Sequence, residues 1–272
     1  MSVVTSLQNL KDGLAASDRM PVLFLGHGSP MNAIEDTVYS RSWTELGESL
    51  PRPQAILVVS AHWMSRGAVL VNVAQTPETI HDFYGFPPEL FAQQYPAPGA
   101  PEMAREVASL LASHKSMETD RWGLDHGAWA VLKFLFPKAD VPVFQLSIDM
   151  TRDLPEHVAI GKTLAELRHR GVLIIGSGNI VHNLAAMDFH AKPYDWAIEF
   201  DQIFAERLAD GDLTAISDRK ALGRLLDAAH PSLEHYLPAL TIAGAADPRD
   251  SLLFMTESID IASVSMRSFI YY

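Results

Sequence analysis

Three histidines stand where a chain can do metal chemistry. His27 lies in "VLFLGHGSP" (22–30), His62 in "AILVVSAHW" (55–63) and His182 in "VLIIGSGNIVHN" (172–183). Each follows an apolar run that reads as a buried strand. Each has small neighbours: Gly26 and Gly28; Ser60 and Ala61; Gly176, Ser177 and Gly178. Such residues let the backbone bend sharply and come close to a ligand. Imidazole suits Fe, Zn and Cu, and a divalent ion needs three or more protein ligands. In an open α/β sheet, ligands bind at the carboxyl ends of the strands. Parallel neighbouring strands would therefore bring all three imidazoles to one rim. The plainer alternative for each is a hydrogen-bonded histidine at a strand end.

Further residues qualify for the same site. The chain has no cysteine, so thiolate ligands, disulfides and cysteine nucleophiles are excluded, and any metal must be held by histidine and oxygen. "HPSLEHYLPAL" offers His230 and His235, with Glu234 beside the latter. His126 in "WGLDHGAW" opens a helix behind a tight turn, a place for a catalytic or supporting group. "HDFYGFP" sets His81 beside Phe83, Tyr84 and Phe86, aromatics that either wall a flat apolar substrate or plug the end of a core. His114, His157 and His169 are expected on solvated faces of helices, and His190 in a plain loop.

The elements that must position these residues alternate along the chain. Strands are expected at 22–25, 55–63, 68–72, 141–148 and from 172, with late strand candidates at 251–259 and 262–272. Helices are expected at 40–50, 100–115, 126–136, 154–171, 195–212, 218–229 and 235–246, the last with a proline inside it. Residues 1–20 read as a short helix or loose arm, and 81–101 as an irregular loop with a short helix at 88–94. This alternation implies an α/β fold: one domain over 1–272, with a central, mostly parallel (mixed) sheet flanked by helices on both faces. The last two strands are expected as an antiparallel hairpin on that sheet.

A net charge of −12 without any basic run argues against binding nucleic acid or an anionic membrane surface. No apolar stretch approaches the ~20 residues of a membrane span. The first twenty residues lack the pattern of a signal peptide, so a cytoplasmic location is expected.

"GHGSPMNAI", "SAHW", "HDFYGFPPELF", "LDHGAW", "GSGNIVHNL" and "EHYLPAL", in this order from residue 26 to about 245, resemble the class III extradiol ring-cleavage dioxygenases. The likeness is strongest to their 4,5-DOPA dioxygenase extradiol-like branch. It implies a single α/β domain, a non-haem Fe(II) site, and O₂-dependent cleavage of a catechol such as L-DOPA beside its two hydroxyl carbons. It also implies His27 and His62 as metal ligands, His235 as the third, His182 as an active-site histidine and His126 as a further histidine of the pocket. Related enzymes use two histidines and a glutamate. Here the third position reads as His235 with Glu234 adjacent, and neighbouring helical residues point about 100° apart, so only one of them is expected to bind. An all-imidazole site makes Zn(II) a further expected occupant, with His182 as a fourth ligand.

In the catalytic reading His182 takes a catechol proton. His126 then bonds to, or protonates, the oxygen intermediate. Trp63, His81, Phe83 and Tyr84 would line the ring. The rival readings are a zinc-dependent hydrolase on the same histidines and a non-enzymatic binding protein on the same fold.

Overall fold

The computed structural model describes the chain from Val3 to Tyr272, and residues 1 and 2 lie outside the described residues. Eight strands form one sheet: β1 (Val22–Gly26), β2 (Ala55–Ser65), β3 (Val69–Asn72), β4 (Ser116–Thr119), β5 (Val143–Asp149), β6 (Val172–Gly178), β7 (Leu252–Met255) and β10 (Ser268–Tyr271). Their order is β4-β3-β5-β2-β6-β1-β10-β7. The strands β5, β2, β6 and β1 form a parallel centre. One side is extended by the antiparallel β10 and β7, the other by β3. A separate hairpin joins β8 (Ile259–Asp260) to β9 (Val264–Ser265).

The apolar runs of the central strands bury both faces, as parallel strands between helical layers must. Val22 and Phe24 of β1 enter one core with Leu57, Val59 and Ile174; Leu23 and Leu25 enter the other with Ile56, Val58 and Ile175. Each such side chain, fully buried, is worth ~1.5–3 kcal/mol. The first core is roofed by α4 (Pro101–Leu110), α6 (Leu154–Leu164), α7 (Asp195–Ala209) and α10 (Leu237–Gly244). The second is roofed by α1 (Val3–Ala16), α2 (Val38–Ser49) and α5 (His126–Leu135). Short helices complete the layers: α3 (Pro88–Phe91), α8 (Leu213–Ser217) and α9 (Arg219–Ala229). No described helix is long and apolar enough to cross a membrane.

Several elements differ from the sequence expectation. β4 carries no apolar signal because it is a half-exposed edge strand of four residues. The helix expected to 115 stops at Leu110, and a turn with Lys115 at φ 52° leads into β4. The helix expected over 218–229 breaks its geometry at Gly223, whose φ is 55°. Pro238 lies in the first turn of α10 rather than inside a helix, where its missing N–H costs nothing. Residues 230–236 ahead of it form turns instead. His157, expected on a solvated face, is buried. Its helix packs against α10, so even the positions between its aliphatic residues are covered.

Candidate metal centre

β2, β6 and β1 are consecutive in the sheet, and their carboxyl ends are level: Ser60 pairs with Ser177, and Gly26 with Gly178. His27 leaves β1 at this rim, its N–H donating to Gly178 O at 3.2 Å. His62 comes from the one irregular stretch of β2. Between Val59 and Met64 the strand slips in register against β5, which re-aims its side chains. His235 arrives from the turn before α10, whose backbone docks on the end of β6. Asn179 N–H donates to His235 O at 3.0 Å. A Cβ on Gly178 would lie 2.2 Å from that same oxygen, so the glycine is what lets the turn approach.

The rings meet there. His27 lies 5.0 Å from His62 and 5.3 Å from His235, centroid to centroid, and His62 lies 5.1 Å from His235. Each of the three offers a ring nitrogen within 4.8 Å of the other two. His62 Nε2 and His27 Nε2 are 3.1 Å apart. His182 stacks on His235 at 3.4 Å with the planes 9° apart, and His126 lies 3.9 Å from His62.

The opposite nitrogens are tied back. Ser177 Oγ–H donates to Gly127 O at 2.5 Å, so at 2.9 Å the same oxygen must accept from His27 Nδ1–H. Glu234 Oε1 accepts from His235 Nδ1–H at 3.2 Å, and Asp82 Oδ2 lies 3.2 Å from His62 Nδ1. A neutral imidazole has one N–H. With Nδ1–H spent, Nε2 of His27 and of His235 presents a lone pair, and His62 Nε2 faces the same centre, hydrogen-bonded to His27 Nε2 at 3.1 Å. Burial, and then the neighbouring imidazoles, hold His27 and His235 well below the usual histidine range. Burial and His126 likewise bring His62 down to about 3, and His182 falls to about 4 for the same two reasons. A neutral, convergent set of imidazole nitrogens, two of them backed by hydrogen-bond acceptors, is what a soft-to-borderline divalent cation requires.

A model of the catalytic LigB subunit of aromatic ring-opening dioxygenase matches residues 21–263. The chain belongs to the LigB family of aromatic ring-opening dioxygenases. The 4,5-DOPA dioxygenase extradiol of Escherichia coli (strain K12) is 44% identical over 268 residues, which cover 95% of this chain and 97% of that one. The enzyme of the same name from Beta vulgaris is 38% identical, covering 90% and 94%. A crystal structure of an uncharacterized Escherichia coli K12 protein superposes with a TM-score of 0.80 at 39% identity, covering 93% of this chain and 99% of that one.

On this LigB scaffold the residues singled out from the sequence fall into two groups. His27, His62, His235, His182 and His126 come together. Phe83 joins them, its ring packed edge-on against His126 at 5.6 Å. Tyr84 does not: it is 92% exposed at the tip of its loop. Gly85 at φ 77° turns the chain there, throwing the intervening side chain outward. His81 is spent as a strut, its Nε2–H donating to Gln93 O at 2.9 Å and its ring packed on Phe83 and Trp129. Trp63 stacks on Trp122 at 5.7 Å, and Trp122 Nε1–H donates to Asp125 Oδ2 at 3.3 Å. His230 is buried scaffolding, with Nε2–H on Ile180 O at 2.7 Å and Phe200 and Tyr236 against its ring.

Residues not foreseen complete the site. Asp82 and Ser177 sit inside quoted motifs, beside a histidine and between two glycines, but only the folded chain shows which nitrogen each holds. Asp125, buried, caps α5 by accepting from Ala128 N–H at 3.2 Å and takes hydrogen bonds from Ser60 and Gln145. It thereby fixes the helix that begins with His126.

Proposed function

We propose that this LigB-family chain cleaves the ring of a catechol, with L-DOPA as the representative substrate, outside the diol and with O₂. The seat of the reaction is a non-haem Fe(II) held by His27, His62 and His235. The observation that carries this reading is the convergence of these three imidazoles, each offering a ring nitrogen within 4.8 Å of the other two. Relatives named 4,5-DOPA dioxygenase extradiol across bacteria and plants support the choice of substrate. When bound, Fe(II) would acidify the coordinated hydroxyls and supply the redox partner that O₂ needs.

The chain's own residues supply the rest. His182, neutral through burial, takes a proton from a catechol hydroxyl on its free ring nitrogen. His126 Nε2 is bare because Nδ1–H is bonded to Asp82 at 3.0 Å, so it can take a proton from a protonated oxygen of the bound substrate and later give that same proton back as the ring opens. Phe83, packed on His126, walls the ring and excludes water from this side. Zn(II) on the same imidazoles would leave the protein inert toward O₂.

The test is anaerobic reconstitution with Fe(II), then L-DOPA and air. Oxygen uptake with a yellow product is expected. His62→Ala should lose both metal and uptake while keeping a native far-UV spectrum, and His182→Ala should lose rate while keeping metal. Ester hydrolysis by Zn(II)-loaded protein with no oxygen uptake by the Fe(II) form would replace this reading with the hydrolase.

A further inference from the structure

Of the histidines at the centre, His182 has the least to hold its ring. His27, His126 and His235 each have a ring nitrogen hydrogen-bonded, to Ser177, Asp82 and Glu234, and His62 is bonded to His27. Among the described residues no hydrogen bond reaches the His182 ring, which rests on His235 by stacking, at 3.4 Å. Stacking sets the plane of a ring but lets it slide and turn within that plane. The aim of this ring must therefore come from the backbone that carries it. That backbone is held on both sides. His182 N–H donates to Ala229 O at 2.9 Å on one side. On the other, Val264 pairs with His182 as an antiparallel bridge, and Ser265 N–H donates to Val181 O at 2.9 Å. Ser263, fully buried, grips the next residue twice. Asn183 N–H donates to Ser263 O at 3.2 Å, and Ser263 Oγ–H donates to Asn183 O at 2.8 Å.

The turn that presents Ser263 is strained. It joins β8 to β9 through Ile261 at φ 43° and Ala262 at φ 64°. Turns with two positive φ values favour Asn-Gly, and a β-branched residue in that region is an outlier. Each such residue costs ~1–3 kcal/mol and persists only where its surroundings over-determine it. Here both strained residues are tied down through their carbonyls. Asp188 N–H donates to Ile261 O at 3.0 Å, and Tyr194 N–H donates to Ala262 O at 3.1 Å. The turn thus holds the segment after His182 at three points, residues 183, 188 and 194. Taking His182 as the proton-accepting group of the reading above, we propose that Ser263 is a positioning residue that aims the His182 ring at the bound substrate by clamping Asn183.

Ser263→Ala removes the side-chain bond and keeps the main-chain one, and all readings are taken below the melting transition of the variant. In the Fe(II) enzyme with L-DOPA, kcat should fall ~10-fold while KM stays near wild type, the mark of a misaimed group rather than of lost binding. In a His182→Ala background the same substitution should leave kcat unmoved, because the ring it acts through is already gone. A second readout needs neither metal nor turnover. In metal-free protein the stack on His235 places the Cε1 proton of His182 in the ring current of its neighbour, so its NMR signal should lie upfield. In Ser263→Ala that signal should move back toward the ordinary histidine position. An unmoved signal together with wild-type kcat overturns the proposal. So does an equal loss of kcat in the His182→Ala background, which would mark a serine that only supports the fold. A wild-type Fe(II) enzyme that takes up no oxygen removes the catalytic reading alone. The ring signal then decides, its displacement in Ser263→Ala supporting the clamp and its constancy overturning it.

Discussion

Gly127→Ala probes how tightly the scaffold holds His62. Gly127 is the second residue of α5. A Cβ there would lie 2.5 Å from Ser60 Oγ, 2.9 Å from His62 Cδ2 and 3.2 Å from Asp125 Oδ1. Alanine in a helix is worth up to ~1 kcal/mol over glycine, which favours the variant. Against this, neither close neighbour can retreat freely. Ser60 Oγ–H donates to the buried Asp125 at 2.6 Å and its oxygen accepts His62 N–H at 3.2 Å, so rotating it strands both partners. Overpacking of this kind costs ~1–3 kcal/mol, and here it falls at the upper end because polar bonds break as well. The net expectation is a loss of ~1–2 kcal/mol, or a drop of ~2–8 °C in melting temperature. The His62 ring must give by several tenths of an ångström, so Fe(II) affinity should fall about tenfold, a change of ~1.4 kcal/mol. Calorimetry of the metal-free protein and chelator competition measure the two effects separately. A variant that melts at or above the wild-type temperature with unchanged Fe(II) affinity would show that Ser60 and His62 relax without cost, and would refute the claim that packing on α5 sets the ligand.

Two further predictions concern the scaffold. His157 is buried and its pKa is lowered to about 4, first by burial and then by the Arg152 charge. Its folded value thus lies below its unfolded value of ~6.5, so the folded state binds fewer protons. The stability it confers is complete above pH ~6.5 and is lost as pH falls toward 4, by ~2 kcal/mol between pH 7 and 5. Urea unfolding of His157→Leu should show its deficit against wild type shrinking by that amount over the same interval, and a constant deficit would refute the assignment. Arg168 is buried, with Nη1 and Nη2 on the two oxygens of Asp250 at 2.6 and 3.0 Å and Nε on Met20 O at 2.7 Å. Arg168→Met should cost ~3–5 kcal/mol by leaving Asp250 without its main partner, and adding Asp250→Asn should recover part of it. Non-additive melting temperatures are the expected result, and simple additivity would contradict it.

What was legible in the sequence was what repeats locally. "VLFLG" and "VLIIGSG" read as central strands because both of their faces are buried, and the histidine after each could be placed at one rim without knowing the strand order. His62 was legible for the same reason, although the slip in β2 that aims it was not. The carboxylates were harder. Asp82 lies 44 residues from His126 along the chain, and Ser177 lies 150 from His27. No local pattern ties an acceptor to a nitrogen over such spans. Tyr84 misled because its composition-rich motif does not reveal which aromatic the Gly85 turn throws outward. His157 misled because helical periodicity reports only which face is apolar, while the packing of α10 covers more than that face.

The same distinction bears on how the site manages charge. Reading 234–235 as helix sends neighbouring side chains about 100° apart and forces a choice between glutamate and histidine. These residues instead occupy the turn before α10, where Glu234 Oε1 sits 3.2 Å from His235 Nδ1. The carboxylate is present at the site but one bond removed from the place an ion would take. The Asp82 carboxylate lies at the same 3.2 Å from His62 Nδ1, as a close charge and not as a hydrogen-bond acceptor, and behind His27 stands only the neutral Ser177 hydroxyl. A carboxylate behind an imidazole raises the basicity of the nitrogen on its far side. On the proposed reading, two of the three ligands therefore carry negative charge to the ion through their rings while the ligand atoms themselves remain neutral. The ligand opposite Ser177 lacks this support. His27 should accordingly be the ligand whose loss weakens Fe(II) binding least, and His27→Ala binding Fe(II) less tightly than both His62→Ala and His235→Ala would show that carboxylate support is not what ranks them.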